Sequence, residues 1–159
     1  MIDAEILRTL LHYDPDTGVF TWRISRYGGA RAGNIAGTLR KTGYRGIKVC
    51  GKLYYEHRLA WLYVYGEWPS NFIDHINCIE DDNRIANLRL ANNWQNKANS
   101  RKHKAGLPKG VKKCHYRYLA RIRVNKTEKY LGVYDTPEQA HAAYCEAAQK
   151  EFGAYYRAG

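Results

Sequence analysis

The sequence has few cysteines, and they are badly placed for any cysteine-built function. The four stand at 50, 78, 114 and 145, with no CxxC pair among them. A zinc ribbon or a thioredoxin-like redox motif therefore has no support, and structural zinc is disfavoured. Such scattered cysteines also make a poor disulfide framework, so reduced thiols are expected. Long apolar runs are lacking too. A membrane span needs roughly 18 such residues, and the longest run, Leu59 to Tyr65, falls well short. The first residues include Asp3 and Glu5 and show no basic-then-apolar pattern. Neither membrane insertion nor export is expected from this. Acidic side chains are also scarce, at 15 against 26 Lys and Arg, leaving a net charge of +11.

What is present is a globular composition: 159 residues, 45% hydrophobic and 13% aromatic. That length allows one domain or two small ones. A pI near 9.6 points to a nucleic-acid partner. The charge is uneven. Residues 1–50 have a net charge of +4, residues 51–101 zero, and residues 102–159 +7. Residues 101–129 hold eleven basic side chains and one acid, Glu128. A basic run can be no more than a solvated face. Here it is interleaved with Tyr116 and Tyr118, followed by Tyr130, and it continues into a patterned strand.

Apolar spacing predicts a helix over residues 3–12, a turn at Asp14–Gly18 and a short strand from Val19 to Ile24. Strands follow at Tyr44–Val49 and Lys52–Tyr55, joined at Cys50-Gly51. A helix runs from His57 to Tyr65, ended by Gly66. Residues 101–109 read as a basic linker with Gly106 and Pro108. The division is thus residues 1–100, a linker at 101–109, and residues 110–159. In the last segment Tyr118, Ala120, Ile122 and Val124 alternate with Arg121 and Arg123, a strand with one apolar and one basic face. A strand precedes it near Gly110–Lys113 and another follows at Lys129–Tyr134. Thr136-Pro137 with Gln139 then starts a helix with a capping box. The whole pattern is α+β, with a β-rich N-terminal half and a small three-stranded sheet plus one helix at the C-terminus.

One constellation can carry chemistry. Asp74-His75 follows Phe72-Ile73. A polar loop to Asn83 contains Glu80, Asp81 and Asp82, and Asn87 and then Asn96, on a helix from Asn92, come next. An Asp-His pair alone is commonly inconsequential surface, and a lone Asn commonly caps a turn. Together they suit one task. Asp74 and the Asn96 amide offer hard oxygen ligands for Mg²⁺ or a similar ion, and neutral His75 can take a proton from water. His57 is expected to pack beside Trp61.

The stretch EHRLAWLYVYGEWPSNFIDHINCIEDDNRIANLRLANNWQNKANSR, residues 56–101, resembles the HNH endonucleases of the phage and homing type. The resemblance implies a ββα-metal nuclease core and cleavage of double-stranded DNA, nicking by a monomer or weak dimer. The implied metal is Mg²⁺, with Mn²⁺ as a substitute. His75 would be the general base, Asn87 the residue holding the loop that positions it, and Asp74 and Asn96 the metal ligands. Cys78 stands where the family usually has Gly. Residues 109–153, KGVKKCHYRYLARIRVNKTEKYLGVYDTPEQAHAAYCEAAQKEFG, are similar to apetala-2-type DNA-binding domains, which lay a three-stranded sheet in the major groove. With the linker, this implies a DNA-binding set of Arg101, Lys102, Lys104, Lys109, Lys112, Lys113, Tyr116, Arg117, Arg121, Arg123, Lys129 and Tyr130. Reduced cysteines and the resemblance imply the cytoplasm of a bacterial host. The alternative is a DNA-binding regulator with an inactive nuclease core.

Overall fold

A computed structural model describes residues 2–26, 30–99 and 106–157. The chain divides into two compact units, Met1–Ala91 and Asn92–Gly159. The described residues form small antiparallel sheets and four α-helices.

The first unit opens with α1 (Ala4–Leu10), whose N-cap Asp3 accepts the Ile6 N–H at 2.8 Å. The helix is shorter than its apolar spacing predicts. Leu11 leaves the helical conformation and starts β1 (Leu11–Tyr13), which pairs with β2 (Phe20–Trp22). Leu11 and Tyr13 are both buried while His12 is exposed. That is a period of two, and tertiary pairing overrides the helical continuation. In the connecting turn Gly18 has φ +74°, and a Cβ there would lie 2.5 Å from the Asn83–Arg84 backbone. Glycine is required on both counts.

A three-stranded sheet follows: β3 (Thr38–Leu39), β4 (Arg45–Val49) and β5 (Lys52–Tyr55), in the order β3-β4-β5. Cys50 and Gly51 join β4 to β5 with φ of 49° and 79°, as a two-residue hairpin turn of the primed type requires. Helix α2 (Glu56–Tyr65) ends at Gly66 in the left-handed region. Then β6 (Phe72–His75) pairs with β7 (Leu88–Ala91), which is preceded by a 3₁₀ turn at Ile85–Asn87. Leu7, Leu11, Phe20, Ile47, Leu59 and Leu62 are fully buried in this unit's core. Each stabilises it by about 1.5–3 kcal/mol. The core fixes α2, and with it the two polar residues of the first turn, Glu56 and His57, which are buried as well.

The second unit starts with α3 (Asn93–Asn99). Asn92 accepts from the Trp94 and Gln95 N–H groups at 2.9 Å, and Gln95 Oε1 accepts the Asn92 N–H at 2.8 Å. Then come β8 (Val111–Cys114), β9 (Arg117–Val124) and β10 (Thr127–Tyr134), in the order β10-β9-β8, and α4 (Pro137–Phe152). Ala120 and Ile122 of β9 and Ala140, Tyr144 and Ala148 of α4 are buried. The small residues let the helix lie close on the sheet. A bulge between Tyr130 and Gly132 shifts the β9–β10 register.

Candidate functional site

Strands β6 and β7 form a short antiparallel pair that carries Asp74 and His75 as its last two β6 residues. Both are buried, at 4% and 5% exposure. As consecutive strand residues they leave on opposite faces. Asp74 stands opposite Arg89 in register, and the Nε and Nη2 of Arg89 both lie 2.8 Å from Asp74 Oδ2. The arginine supplies the counter-charge that a buried carboxylate needs.

His75 faces an aromatic and amide environment. Its ring centroid is 5.2 Å from that of His57, which meets it edge-on, and 5.8 Å from that of Tyr44. Its Nε2 lies 3.2 Å from Asn83 Oδ1. Burial pushes the imidazole below its usual pKa, against the opposing pull of Asn83 and nearby carboxylates. His75 is therefore neutral at pH 7, the state a base requires.

Behind His75 a polar chain runs into the core. Asn83 Nδ2 donates to Glu56 Oε2 at 3.2 Å, and Arg45 Nε reaches both Glu56 oxygens at 3.2 and 3.1 Å. Tyr13 Oη donates to the Asn83 carbonyl at 2.7 Å. Glu56 is 1% exposed. Burial raises its pKa to about 7, with Arg45 and then Asn83 pulling it back.

Asn87 holds the loop between the strands. Its Oδ1 accepts the Asn77 N–H at 3.0 Å, and its Nδ2 donates to Asn77 Oδ1 at 3.0 Å and to the Asp82 carbonyl at 2.8 Å. Asn77 Nδ2 donates to Asp82 at 2.6 Å, and Arg84 closes the far side on the same carboxylate. Arg84 then Asn77 lower the Asp82 pKa to about 2. Cys78, in this loop, has φ 57°.

His57 packs against Tyr44, Tyr55 and His75, with ring centroids 5.3, 5.5 and 5.2 Å away. Trp61, its expected neighbour, packs against Tyr65 with the rings tilted and their centroids 4.3 Å apart. His57 Nδ1 is buried without a hydrogen-bond partner among the described residues. Burial drops its pKa to about 3, so it stays neutral.

Residues 54–98 match the HNH endonuclease family. No curated protein matches the chain. The HNH segment runs from β5 through α2, the β6–β7 hairpin and most of α3. It contains His75, Asp74, Asn87 and Asn96, and also Glu56 and Asn83. An HNH domain implies a nuclease acting on DNA. Asn96 lies on α3, where its N–H donates to the Asn92 carbonyl at 3.0 Å. No cluster of three or more His, Cys, Asp or Glu side chains suited to a metal occurs among the described residues. None of the four cysteines forms a disulfide. No described helix is long and apolar enough to cross a membrane.

Glu56 and Asn83 are the partners that a reading of the sequence does not assign. Asn83 follows two aspartates in a polar loop that reads as solvated, and Glu56 opens a helix where an acid ordinarily serves the helix dipole. Only the fold shows both buried.

In the second unit, strand register separates the basic residues. By register Lys112, Arg117, Arg121, Arg123 and Tyr130 fall on the sheet face turned away from α4, although the Arg123 side chain also lines a cavity with Trp94, Tyr144 and Phe152. Lys113 and Lys129 stand opposite Tyr118 and Ile122, on the helix side, and Lys129 pairs with Glu151. Arg117 and Arg121 pair with Asp135 and Glu128 at 2.8 and 2.9 Å. Lys109 donates to the Lys97 and Ala98 carbonyls at 3.1 and 2.5 Å, tying down the end of α3. Tyr116 is 96% exposed at the β8–β9 turn. Arg101, Lys102 and Lys104 lie outside the described residues.

Proposed function

We propose that the protein is a metal-dependent DNA endonuclease that hydrolyses phosphodiesters, nicking one strand per site, with a homing or phage-encoded role in a bacterial cytoplasm. The observation that carries this reading is a buried, neutral His75, anchored at Nε2, beside Asp74 within the matched HNH segment.

His75 is the general base and takes a proton from water. The resulting hydroxide forms the new bond to phosphorus. The bond from phosphorus to the leaving sugar oxygen breaks, and that oxygen takes a proton from solvent. Asn87 keeps the loop closed behind the histidine. A hard divalent ion keeps several waters and takes one or two carboxylates plus substrate phosphate. Asp74 and Asn96 each carry a hard oxygen of the kind such an ion takes, and these two residues would hold it. The ion, Mg²⁺ or Mn²⁺, supplies charge stabilisation at the phosphate. The basic sheet face of the second unit, with the linker residues Arg101, Lys102 and Lys104, binds the duplex.

The test follows supercoiled plasmid on gels with Mg²⁺, Mn²⁺ or EDTA, for the wild type and His75→Ala. Open circles formed only by the wild type with metal are expected, with DNA binding by the variant nearly intact. Equal loss of binding and cutting in the variant would refute the role of His75. A second reading, a DNA-binding regulator with an inactive core, is favoured by the left-handed conformation of Cys78. It predicts a salt-sensitive gel shift without cleavage.

A further inference from the structure

We propose that Glu56 and Asn83 are positioning residues that fix the tautomer of His75, making Nδ1 the atom that accepts the proton from water. The proposal rests on the nuclease reading and deepens it. Hydrogen-bond polarity carries it. Above its pKa of about 7, Glu56 is ionised, and an ionised carboxylate has no hydrogen to give. Glu56 Oε2, 3.2 Å from the Asn83 side chain, must therefore face the amide NH₂. That turns the amide carbonyl, Oδ1, toward His75. A carbonyl also only accepts, so the ring nitrogen facing it, Nε2, must carry the hydrogen. A neutral imidazole with its proton on Nε2 has its lone pair on Nδ1.

The chain is held at its inner end. Arg45 Nε reaches both oxygens of Glu56. Its Nη2 also donates to the Ala36 and Gly37 carbonyls at 3.3 and 3.4 Å. Gly37 leaves room for the carboxylate, since a Cβ there would lie 2.1 Å from Glu56 Oε1. Glu56 and Asn83 are each 1% exposed. Water therefore cannot substitute for either partner, and the polarity set at Arg45 reaches His75 unchanged. A buried Glu and Asn are costly unless every polar atom is satisfied. Fixing one tautomer is a return that a well-packed apolar pair could not give.

The test reads the tautomer directly in the full chain. Long-range ¹H–¹⁵N correlation spectra of ¹⁵N-histidine-labelled protein are recorded at pH 8, above the Glu56 pKa of about 7. The His75 signals are identified by their loss in His75→Ala. In the wild type, His75 Nε2 is expected at the protonated position and Nδ1 at the unprotonated one. In Glu56→Gln the side-chain amide can donate as well as accept, so Asn83 can turn over. The two nitrogens should then move toward averaged positions. Nicking under saturating DNA should fall roughly tenfold or more, within the 10²–10⁴ a general base supplies, with DNA affinity unchanged. Asn83→Ala should shift the tautomer likewise, and serves if Glu56→Gln fails to fold. A wild-type His75 protonated on Nδ1 overturns the proposal, as does a tautomer unchanged in both variants. The wild-type spectrum needs no cleavage. The expected tautomer in a protein that never nicks would sink the nuclease reading and leave the hydrogen-bond chain standing.

Discussion

Cys78 shows what a single backbone angle can say. Its φ of 57° lies in the left-handed region, where a Cβ crowds the following carbonyl and costs roughly 1–2 kcal/mol. The resemblance places Cys where Gly is expected, and the fold gives the position a positive φ. The loop closes regardless, because the Cys78 N–H donates to the His75 carbonyl at 2.9 Å and Asn87 clamps Asn77 beside it. Cys78→Gly removes the strain but adds freedom to the unfolded chain, an offset of about 0.4–1 kcal/mol. A net gain of about 0.5–1 kcal/mol is expected, seen as a higher urea midpoint at unchanged slope, with the nicking rate unchanged. A large gain in nicking would instead mean that the native loop is damaged, as the regulator reading requires. At this scale Asp74, His75 and Asn87 are legible in the sequence because their spacing is a motif. Glu56 and Asn83 are not. Their importance lies in being buried together across 27 positions, and nothing local to either residue encodes that.

Elements with strong local signals are readable at their ends, and elements settled by pairing are not. Thr136, Pro137 and Gln139 start α4 as their types dictate: the Thr136 side chain accepts the Gln139 N–H at 3.2 Å, and Gln139 Oε1 accepts the Thr136 N–H at 3.3 Å. Thr136→Ala should cost about 1 kcal/mol, measured as a lower thermal midpoint with no change in the sheet's register. By contrast, the residues of β1 continue the apolar spacing of α1, and only pairing with β2 reassigns them. The first turn of α2 adds a pH dependence. His57, held near 3 by burial, stays neutral in the fold, while the unfolded chain takes a proton near 6.5. Its contribution is complete above pH 6.5 and is lost as pH falls toward 3, on the order of 5 kcal/mol at full extent. Glu56, raised to about 7, works the other way: its contribution is complete below pH 4.5 and is lost as pH rises toward 7. The two oppose each other between 4.5 and 6.5. Stability should be nearly flat there and fall steeply below 4.5. His57→Phe should remove the histidine's share of that fall and leave stability rising as pH drops from 7 to 4.5. Urea titrations across this range measure both curves. An unchanged acid limb in the variant would rule out His57 as its cause.

On the scale of the whole molecule, charge and register are what the proposed DNA contact rests on. The net charge of +11 is concentrated in residues 102–159, which have +7, while residues 51–101 are neutral. The segment that contains the HNH hairpin thus has little electrostatic attraction of its own, and in the proposed function the long-range pull on DNA would come from the second unit. Within that unit, alternation divides the basic residues into two sets. By register Lys112, Arg121 and Arg123 fall on the face away from α4, where Arg121 pairs with Glu128, whereas Lys129 pairs with Glu151 on the helix side. Arg123 also lies over the Trp94 ring, its guanidinium carbon 6.0 Å from the centroid. This arrangement holds it on the unit without removing its charge. Each phosphate neutralised on B-DNA contributes about 0.9 to the slope of log affinity against log salt. Replacing Lys112, Arg121 and Arg123 together by Ala should therefore lower that slope by roughly 2–3 if all three meet phosphate. Lys129→Ala should leave it nearly unchanged. Fluorescence anisotropy with a labelled duplex across a salt series gives both slopes. Circular dichroism checks that the sheet persists. A slope lost with Lys129 and kept without the other three would move the DNA to the helix side of the sheet.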